Sequence, residues 1–357
     1  LRPTTIGLTD RCWFDPQHTA VPGATEMIRP TSANFFYGLC CALLLPTFDA
    51  SADPPAARDA TVVLRRDDDQ GQLWVDIEGR PGFCYCYGDQ YDLPHFYPIN
   101  SVTGQSMTVR QTEPYPHHRS FWFGDRVALK GERTIATYHA VYTGVKGADG
   151  TYKPPFQDSV RHVGFDCLAA DGDTGSVELR LLWVMDQDKP VLDEHRSMRV
   201  RALGAGAYFI DVTFRVIAAY GDVEFSSDDV HYAWPYLRLN SEFAVPGGAK
   251  MVADSGPVTE ARSTKVVANW VDYSPVTDAK RGGLAMFSHD DNAKPHRWLT
   301  RDYGTFGPRR VDAKSGKPFT LAKGESMTRR VGLLIHAGNV ETGRVAERYA
   351  QYIQGEL

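Results

Sequence analysis

Residues 210–216 read IDVTFRV, so apolar side chains alternate one by one with Asp211, Thr213 and Arg215. A strand that is apolar at every second residue buries one face and leaves the other in water, as strands of antiparallel sheets often do. The same alternation occurs at residues 73–77, which read LWVDI, and at 177–181, which read VELRL. These stretches predict a chain built from half-buried antiparallel strands.

Clusters of turn-forming residues, such as Ala148-Asp149-Gly150, separate other candidate strands. Only the C-terminus has a helical pattern, because Val345, Tyr349 and Ile353 recur every four residues. Many strands without alternating helices predict a mainly β fold, a large antiparallel β-sandwich with a short C-terminal helix. The further strands are expected at 60–66, 83–88, 134–142, 159–167, 194–201, 231–239, 264–271, 283–288 and 328–336.

Residues 27–52 have the order of a secretory signal peptide. Met27 begins a short segment with one positive charge, an apolar run extends from Phe35 to Phe48, and Ala50-Ser51-Ala52 follows. The run is too short for a permanent membrane span, which needs about 20 residues; a buried core helix is the alternative. We therefore expect an exported protein, periplasmic or extracellular. Residues 1–26 would be an upstream non-native or mis-started segment, and residues 53–357 a single β-sandwich domain.

The composition of residues 53–357 limits the classes of partner. Residues 1–52 hold three basic and four acidic residues, so the remaining 305 residues have a formal net charge of −4. A mildly acidic chain without a basic cluster is a poor candidate for nucleic-acid binding. No later stretch is apolar enough to cross a bilayer, so we expect no membrane insertion of the mature chain.

Three of the six cysteines lie after the predicted leader, namely Cys84, Cys86 and Cys167. Cys84 and Cys86 are two residues apart in a predicted strand, so their side chains share one face. They are interpreted as small buried hydrophobic residues. A disulfide between Cys167 and either of them is the alternative, because export leads to an oxidising compartment.

The densest group of polar and aromatic residues is at 115–125, which reads YPHHRSFWFGD. In an extended segment His117 and His118 face opposite sides, so one of them is expected in a cleft while the other is structural. Residues 270–274 (WVDYS), 287–290 (FSHD), 295–304 (PHRWLTRDYG) and 231–238 (HYAWPYLR) have the same character.

Such groups suit a sugar site, because aromatic faces stack on sugar C–H surfaces while Arg, Asp and His bond hydroxyls or exchange protons. We expect them on one concave sheet face; an ion-paired aromatic loop that packs on the sandwich is the alternative. The predicted catalytic residues are His117, His118, Asp272, His289 and Asp302. The predicted substrate-binding residues are Arg119, Trp122, His231, Trp234, Arg238, Trp298, Arg301 and Tyr303. His95, in residues 91–98, is expected to be structural.

The sequence has no nucleophile elbow, phosphate loop, H-E-x-x-H pair or C-x-x-C pair. No cofactor is therefore predicted. A divalent metal held by scattered histidines remains an open alternative, because ligands in β-sandwiches come from distant strands.

Four segments resemble the PmoA-like family of unknown function: residues 93–98 (LPHFYP), 116–124 (PHHRSFWFG), 270–274 and 284–306. The resemblance implies an association with carbohydrate breakdown and a galactose-mutarotase-like super-sandwich, because the family is common in exported proteins of planctomycetes and other polysaccharide degraders. The family's label comes from a methane-oxidising membrane enzyme. We do not expect that activity in a chain without a spanning helix. Residues 126–129 depart from the family pattern.

The expected function is that of an exported carbohydrate-active enzyme, a glycoside hydrolase or polysaccharide lyase acting on a plant or algal glycan by His/Asp acid–base chemistry. Arg119 or Arg301 would then bind a uronate carboxylate or a developing anion. Mutarotase-type epimerisation is a related possibility. The alternatives are a non-catalytic glycan-binding protein and a metal-dependent oxidative enzyme.

Overall fold

The computed structural model describes residues 4–5, 60–227, 232–259, 266–276, 281–309 and 318–357. The predicted leader at 27–52 and the predicted site residue His231 lie outside the described residues. The strands, numbered in chain order, are β1 (Thr4–Thr5), β2 (Val62–Asp67), β3 (Gln72–Ile77), β4 (Arg80–Cys86), β5 (His95–Ile99), β6 (Phe121–Trp122), β7 (Arg126–Leu129), β8 (Ile135–Ala136), β9 (Val145–Lys146), β10 (Tyr152–Lys153), β11 (Ser159–Asp171), β12 (Thr174–Met185), β13 (Lys189–Gly204), β14 (Ala207–Ile217), β15 (Val223–Phe225), β16 (Tyr236–Arg238), β17 (Ala249–Ala253), β18 (Gly256–Pro257), β19 (Val266–Val267), β20 (Trp270–Pro275), β21 (Gly283–Ser288), β22 (Arg297–Thr300), β23 (Thr305–Pro308), β24 (Phe319–Leu321) and β25 (Ser326–His336). Three 3-10 helices, Thr137–Thr143, Ser241–Phe243 and Val245–Gly247, and the α-helix α1, Val345–Ile353, complete the elements.

Two large sheets contain most of the strands. The first sheet has the strand order β1-β2-β3-β4-β5-β6-β16-β23-β22-β19, and the second has the order β11-β12-β13-β14-β25-β21-β20-β17-β18. Every strand pair in both sheets is antiparallel. A four-stranded sheet (β24-β15-β7-β8) and the pair β10-β9 are smaller. The predicted mainly β fold with large antiparallel sheets is confirmed.

The two large sheets pack face to face around an aromatic core. Phe83 of the first sheet stacks on Tyr208 of the second, with ring centroids 6.2 Å apart. Phe121 of the first sheet packs edge to face on Phe214 of the second, with ring centroids 6.1 Å apart. The Tyr208 hydroxyl donates to the carbonyl oxygen of Gly82 at 2.9 Å, so polar contacts also join the sheets. The apolar residues of the 210–216 alternation are all buried, as predicted.

The strand register determines which side chains lie on the outer face of the first sheet. Phe96 and Phe121 are paired and point into the sandwich. Trp122 is paired with His95 on one side and Tyr236 on the other, so these three lie together on the opposite face. This outer face of the first sheet carries the candidate site.

Helix α1 packs on the outer face of the second sheet. Val345, Tyr349 and Tyr352 are buried against Phe209 and other residues of that sheet. The predicted C-terminal helix is confirmed, but its third buried position is Tyr352, because Ile353 is 36% exposed. The buried spacing is therefore i, i+4, i+7, which keeps the stripe on one side of a helix with 3.6 residues per turn.

Some strand predictions need correction. Residues 134–142 form a strand only at β8, and a 3-10 helix follows, since the buried positions Thr137, Tyr138, Ala140 and Val141 do not alternate. Of the predicted strand 231–239, the described residues 232–239 form a strand only at β16, since Pro235 has no N–H for a sheet hydrogen bond. The predicted strand 264–271 corresponds to β19 and the start of β20.

Cys84 and Cys86 are buried with free thiols, which confirms their interpretation as small buried hydrophobic residues and rules out the alternative, a disulfide from Cys167 to either of them. Both lie on the outer face of the first sheet with their sulfurs 3.9 Å apart, whereas Cys167 belongs to β11 of the second sheet. In the part of the chain that the structure describes, no helix is long and apolar enough to cross a membrane.

Candidate functional site

The loop between β5 and β6 brings the two adjacent histidines to the outer face of the first sheet. It is fixed by main-chain hydrogen bonds from Gln111 to His118 (2.8 Å), from His118 to Tyr115 (3.0 Å) and from Arg238 to Ser120 (2.6 Å). Ser120 has φ +82°, a region that residues other than glycine rarely occupy and that costs of the order of 1 kcal/mol or more. The loop thus holds a strained turn directly after the histidines.

Arg119 holds this loop in place from its buried side. Its Nε and Nη2 donate to Oδ1 of Asp92 at 2.9 and 2.6 Å, and its Nη1 donates to the Pro116 carbonyl oxygen at 2.7 Å. Arg119 is 1% exposed. Its guanidinium is therefore engaged by Asp92 and Pro116 within the protein, and its substrate-binding role stays a prediction.

His118 lies between two aromatic rings on the outer face. Its ring stacks on Tyr115, with centroids 4.9 Å apart and planes at 19°, and lies 5.3 Å from the ring of Trp122. Trp122 in turn stacks on Tyr236 at 4.7 Å and 9°. The Nδ1 atom of His118 is buried without a hydrogen-bond partner.

His117 lies at the half-exposed edge of the same group. Its ring is 4.7 Å from His118 and 4.5 Å from His139, and its Nδ1 is 3.1 Å from the Tyr142 hydroxyl. His139 and Tyr142 belong to the 3-10 helix Thr137–Thr143. Three histidines from two segments therefore meet.

Arg238 and Tyr303 close the group on its other side. The Arg238 guanidinium lies 4.4 Å over the Tyr303 ring, and its Nη1 donates to the Tyr303 carbonyl oxygen and to Thr305 Oγ1. Tyr303 stacks on Tyr115 at 5.6 Å. We call this group of side chains the histidine face: Tyr115, His117, His118, Trp122, His139, Tyr142, Tyr236, Arg238 and Tyr303.

Burial keeps the histidines of this face neutral. It lowers the pKa of His117 to about 3, with further lowering by His139 and Arg119. It lowers the pKa of His118 to about 2, with contributions from His117 and Arg238. The pKa of His139 is also lowered, by burial and by Arg126. At neutral pH the three imidazoles are proton acceptors rather than cations.

The structure does not bring Asp272 to the histidine face. Its neighbour Tyr273 packs on Phe306 inside the sandwich, so Asp272 points to the outer face of the second sheet. There it is fully buried, 2.9 Å from His336 Nε2, and it accepts a hydrogen bond from Ser274. Burial alone would lower the pKa of His336, but the Asp272 carboxylate more than offsets it and the pKa is raised.

His289 also lies on the second sheet, beside helix α1. Its ring edge packs on Tyr352 at 4.9 Å, and its Nδ1 accepts from the Asp291 main-chain N–H at 3.1 Å. Tyr352 donates to Asp211, which is paired with Arg330 at 2.7 Å. His289 therefore belongs to the contacts that hold the helix on the sheet.

The remaining predicted site residues lie either in the core or in the partly buried segment before Tyr303. Trp298 is fully buried and donates to the Ala268 carbonyl oxygen at 2.7 Å, and Trp234 packs in the core against Phe123 at 4.8 Å. Arg301 and Asp302 are partly buried, and their carbonyl oxygens accept hydrogen bonds from Tyr273 and from Val245. They thus fix the chain that presents Tyr303.

Sequence reasoning missed several residues of the histidine face, namely Tyr115, His139, Tyr142 and Tyr236. The signal for His139 is the string YHAVY at residues 138–142, which the strand prediction obscured. His95 is buried, with Nδ1 3.0 Å from the Leu93 carbonyl oxygen, and its structural role stays a prediction. Among the described residues, no group of three or more His, Cys, Asp or Glu side chains is arranged to hold a metal ion.

The chain belongs to DUF6807, a family of unknown function whose model matches residues 72–350. None of the curated proteins matches the chain. The PmoA-like name of the resemblance remains a prediction.

Solved structures with a partial likeness include two α-galactosidases and a polysaccharide lyase. The α-galactosidase of Lactobacillus brevis is 8% identical over 84% of this chain and 41% of its own, with a TM-score of 0.41. The GH36 α-galactosidase AgaA of Geobacillus stearothermophilus is 7% identical over 78% and 41%, with a TM-score of 0.39. The polysaccharide lyase is 13% identical over 82% and 34%, with a TM-score of 0.32. The chain spans about two fifths or less of these proteins, and at this similarity they support no argument about its activity.

Proposed function

We propose that this member of DUF6807 is an exported carbohydrate-active enzyme that binds a glycan at the histidine face. One observation carries the proposal. A neutral His118, with a buried and unpartnered ring nitrogen, lies between Tyr115 and Trp122 and near Arg238. This arrangement joins a proton acceptor, aromatic surfaces and a cation in one place.

The aromatic side chains supply surfaces for sugar rings. Tyr115 is 37% exposed and its ring lies between those of His118 and Tyr303, so the two tyrosines present their ring edges beside His118. Aromatic side chains can contact the apolar C–H surfaces of a sugar, and the hydroxyl of a tyrosine can bond its polar groups. The proposal that the histidine face binds a glycan rests on these two tyrosines.

The histidines supply the acid–base chemistry. His118 is the proposed base, and the half-exposed His117, beside the Tyr142 hydroxyl, is the proposed second proton carrier. A positioned imidazole contributes about 10²- to 10⁴-fold to the rate of a proton-transfer step. Asp272 and His289 have no part in this proposal, because both lie on the second sheet.

A non-catalytic glycan-binding protein is the second candidate. It is favoured by the low pKa values of His117 and His118, about 3 and about 2, which make them weak bases in the free protein. In that case Tyr115 and Tyr303 bind the glycan without turnover, and the histidines serve only as hydrogen-bonding groups.

A screen of the full chain against plant and algal polysaccharides tests the proposal. Product masses report cleavage, and His118→Ala is compared with His195→Ala, a matched control on the exposed side of β13. We expect the wild type and His195→Ala to be equally active and His118→Ala to lose about 100-fold or more. Full activity of His118→Ala contradicts the site. Binding without cleavage, lost in Tyr115→Ala, supports the second candidate instead.

A further inference from the structure

Arg238 is a half-buried cation without a carboxylate partner among the described residues. Its pKa is lowered, first by burial, and the groups that counter this are the tyrosines Tyr303, Tyr115 and Tyr273. Both of its hydrogen bonds use Nη1, so Nε and Nη2 donate to no described residue. A guanidinium stays charged at any pH that a protein tolerates. The edge that Nε and Nη2 form is the one that binds a carboxylate through two parallel hydrogen bonds.

The charged groups that act most strongly on the three histidines are arginines; one of them, Arg119, is paired with Asp92, and Glu113 acts on the neighbouring Tyr142. The charged residues that act on the pKa values of His117, His118 and His139 are the cations Arg119, Arg126 and Arg238.

We propose that the substrate is an acidic glycan and that Arg238 binds the carboxylate of one of its uronic acid residues. This inference rests on the proposed function. In the sequence, Arg119 and Arg301 were the candidates for this role. The structure favours Arg238 because the Arg119 guanidinium is engaged by Asp92 and Pro116.

An acidic substrate also explains how His118 becomes an effective base. A bound carboxylate is an opposite charge next to the imidazole, and such a charge favours protonation and raises the pKa. The pKa of about 2 in the free protein therefore rises when the substrate binds. Proton abstraction is thus coupled to the presence of an acidic sugar.

The chemistry that fits these groups is β-elimination. Arg238 neutralises the uronate carboxylate, and His118 takes the proton from C5 of the same residue. The electron pair of that C–H bond forms the C4=C5 double bond, and the bond from C4 to the glycosidic oxygen breaks. The leaving oxygen takes a proton from solvent, relayed by the half-exposed His117, and His118 releases its proton to solvent. Hydrolysis in its usual form requires a pair of carboxylic acids, and the histidine face as described contains none.

The test compares acidic polymers with their neutral counterparts. Polygalacturonate, alginate and glucuronan, each intact and after chemical reduction of the carboxyl groups, are incubated with the full chain. We expect cleavage of at least one intact polymer, with ultraviolet absorbance from the new double bond and products lighter by one water than hydrolysis products. Its reduced form should be neither cleaved nor bound.

Two variants of Arg238 and one control connect the result to the site. Arg238→Gln should lose at least about 100-fold in kcat/KM, the size expected for a charged contact made in the transition state. Arg238→Lys keeps the charge without the bidentate edge and should lose less. Arg215→Gln, on the exposed side of β14, should match the wild type.

The outcomes separate this inference from the proposed function. Cleavage or binding of neutral polymers alone, with His118→Ala inactive, overturns the acidic substrate and leaves the site in place. Full activity of a folded Arg238→Gln protein on an acidic polymer overturns the role of Arg238. If neither acidic nor neutral glycans are bound or cleaved, the proposed function fails as well.

Discussion

The Arg119 guanidinium lies 2.6 Å from the Asp92 carboxylate, and both side chains are 2% exposed or less. This pair joins the loop that carries His117 and His118 to the segment that enters β5. Removing one member of a buried pair leaves an uncompensated charge, which typically costs about 3–5 kcal/mol. The position of the two histidines thus depends on an ion pair that is buried from solvent.

We expect Asp92→Asn to lower the free energy of unfolding by about 3 kcal/mol. Asp166 forms an exposed pair with Arg180, so Asp166→Asn should lower it by less than about 1 kcal/mol. Urea denaturation of the two variants provides the comparison. Equal, small effects of both substitutions would mean that the Arg119–Asp92 pair does not hold the loop.

The low pKa values of His117 and His118 predict acid sensitivity. Below about pH 6.5 the unfolded chain takes up protons on these residues, while the folded protein takes them up only near pH 3 and pH 2. Their contribution to stability is therefore complete above about pH 6.5 and is lost as the pH falls towards those values. His118→Gln should reduce the acid dependence of the unfolding free energy. In NMR titrations the two imidazoles should remain neutral between pH 5 and 8; protonation near pH 6.5 would refute their burial.

The Asp272–His336 pair predicts the opposite dependence. The folded pKa of His336 is raised above its unfolded value of about 6.5. Its contribution is therefore fully present below about pH 6.5 and is lost as the pH rises through the folded pKa. We expect Asp272→Asn to remove this component of the pH profile of stability. That variant, assayed at a temperature where it is folded, should retain its turnover of glycans, in contrast to His118→Ala. Loss of turnover in the folded Asp272→Asn protein would return Asp272 to the catalytic group.

The proposed export predicts cleavage after Ala52. Expressed from Met27 in a bacterial host with a periplasm, the protein should accumulate in the periplasm with Asp53 as its first residue. Intact-mass measurement and N-terminal sequencing check both points. Arg29→Glu should slow processing, because it removes the only positive charge before the apolar run. An uncleaved protein in the cytoplasm would contradict the proposal.

The fold was predictable from sequence wherever alternation was strict. Residues 210–216 lie in β14 with the expected faces, because one buried face and one polar face leave a period of two in the sequence. Residues 137–142 were predicted as part of a strand but belong to a 3-10 helix. The short helix has several buried side chains, and its composition is similar to that of a strand. The third buried residue of α1 was predicted as Ile353 but is Tyr352. The two residues are adjacent and of similar hydrophobicity, so the sequence pattern does not separate them.

The candidate site was predictable only in part. The composition of residues 115–125 identified His117, His118 and Trp122, and that of 231–238 identified Arg238. The sequence does not show which face of a strand carries the site. Asp272 and Tyr273 are adjacent and point to opposite faces of one sheet, and only the pairing of distant strands determines which face lies outside the sandwich. Pairing of Arg119 with Asp92, 27 residues away, leaves no local pattern either.

Hydrogen–deuterium exchange of the full chain, with and without an oligosaccharide of the polymer that it binds best, tests the central claim most directly. The residues of the histidine face lie in four segments, 111–123, 137–143, 236–239 and 301–308. We predict slower exchange in peptides from these segments. Peptides from 283–290 and 345–353, on the outer face of the second sheet, should be unchanged. Protection confined to that second face, with none in 111–123, would contradict the account.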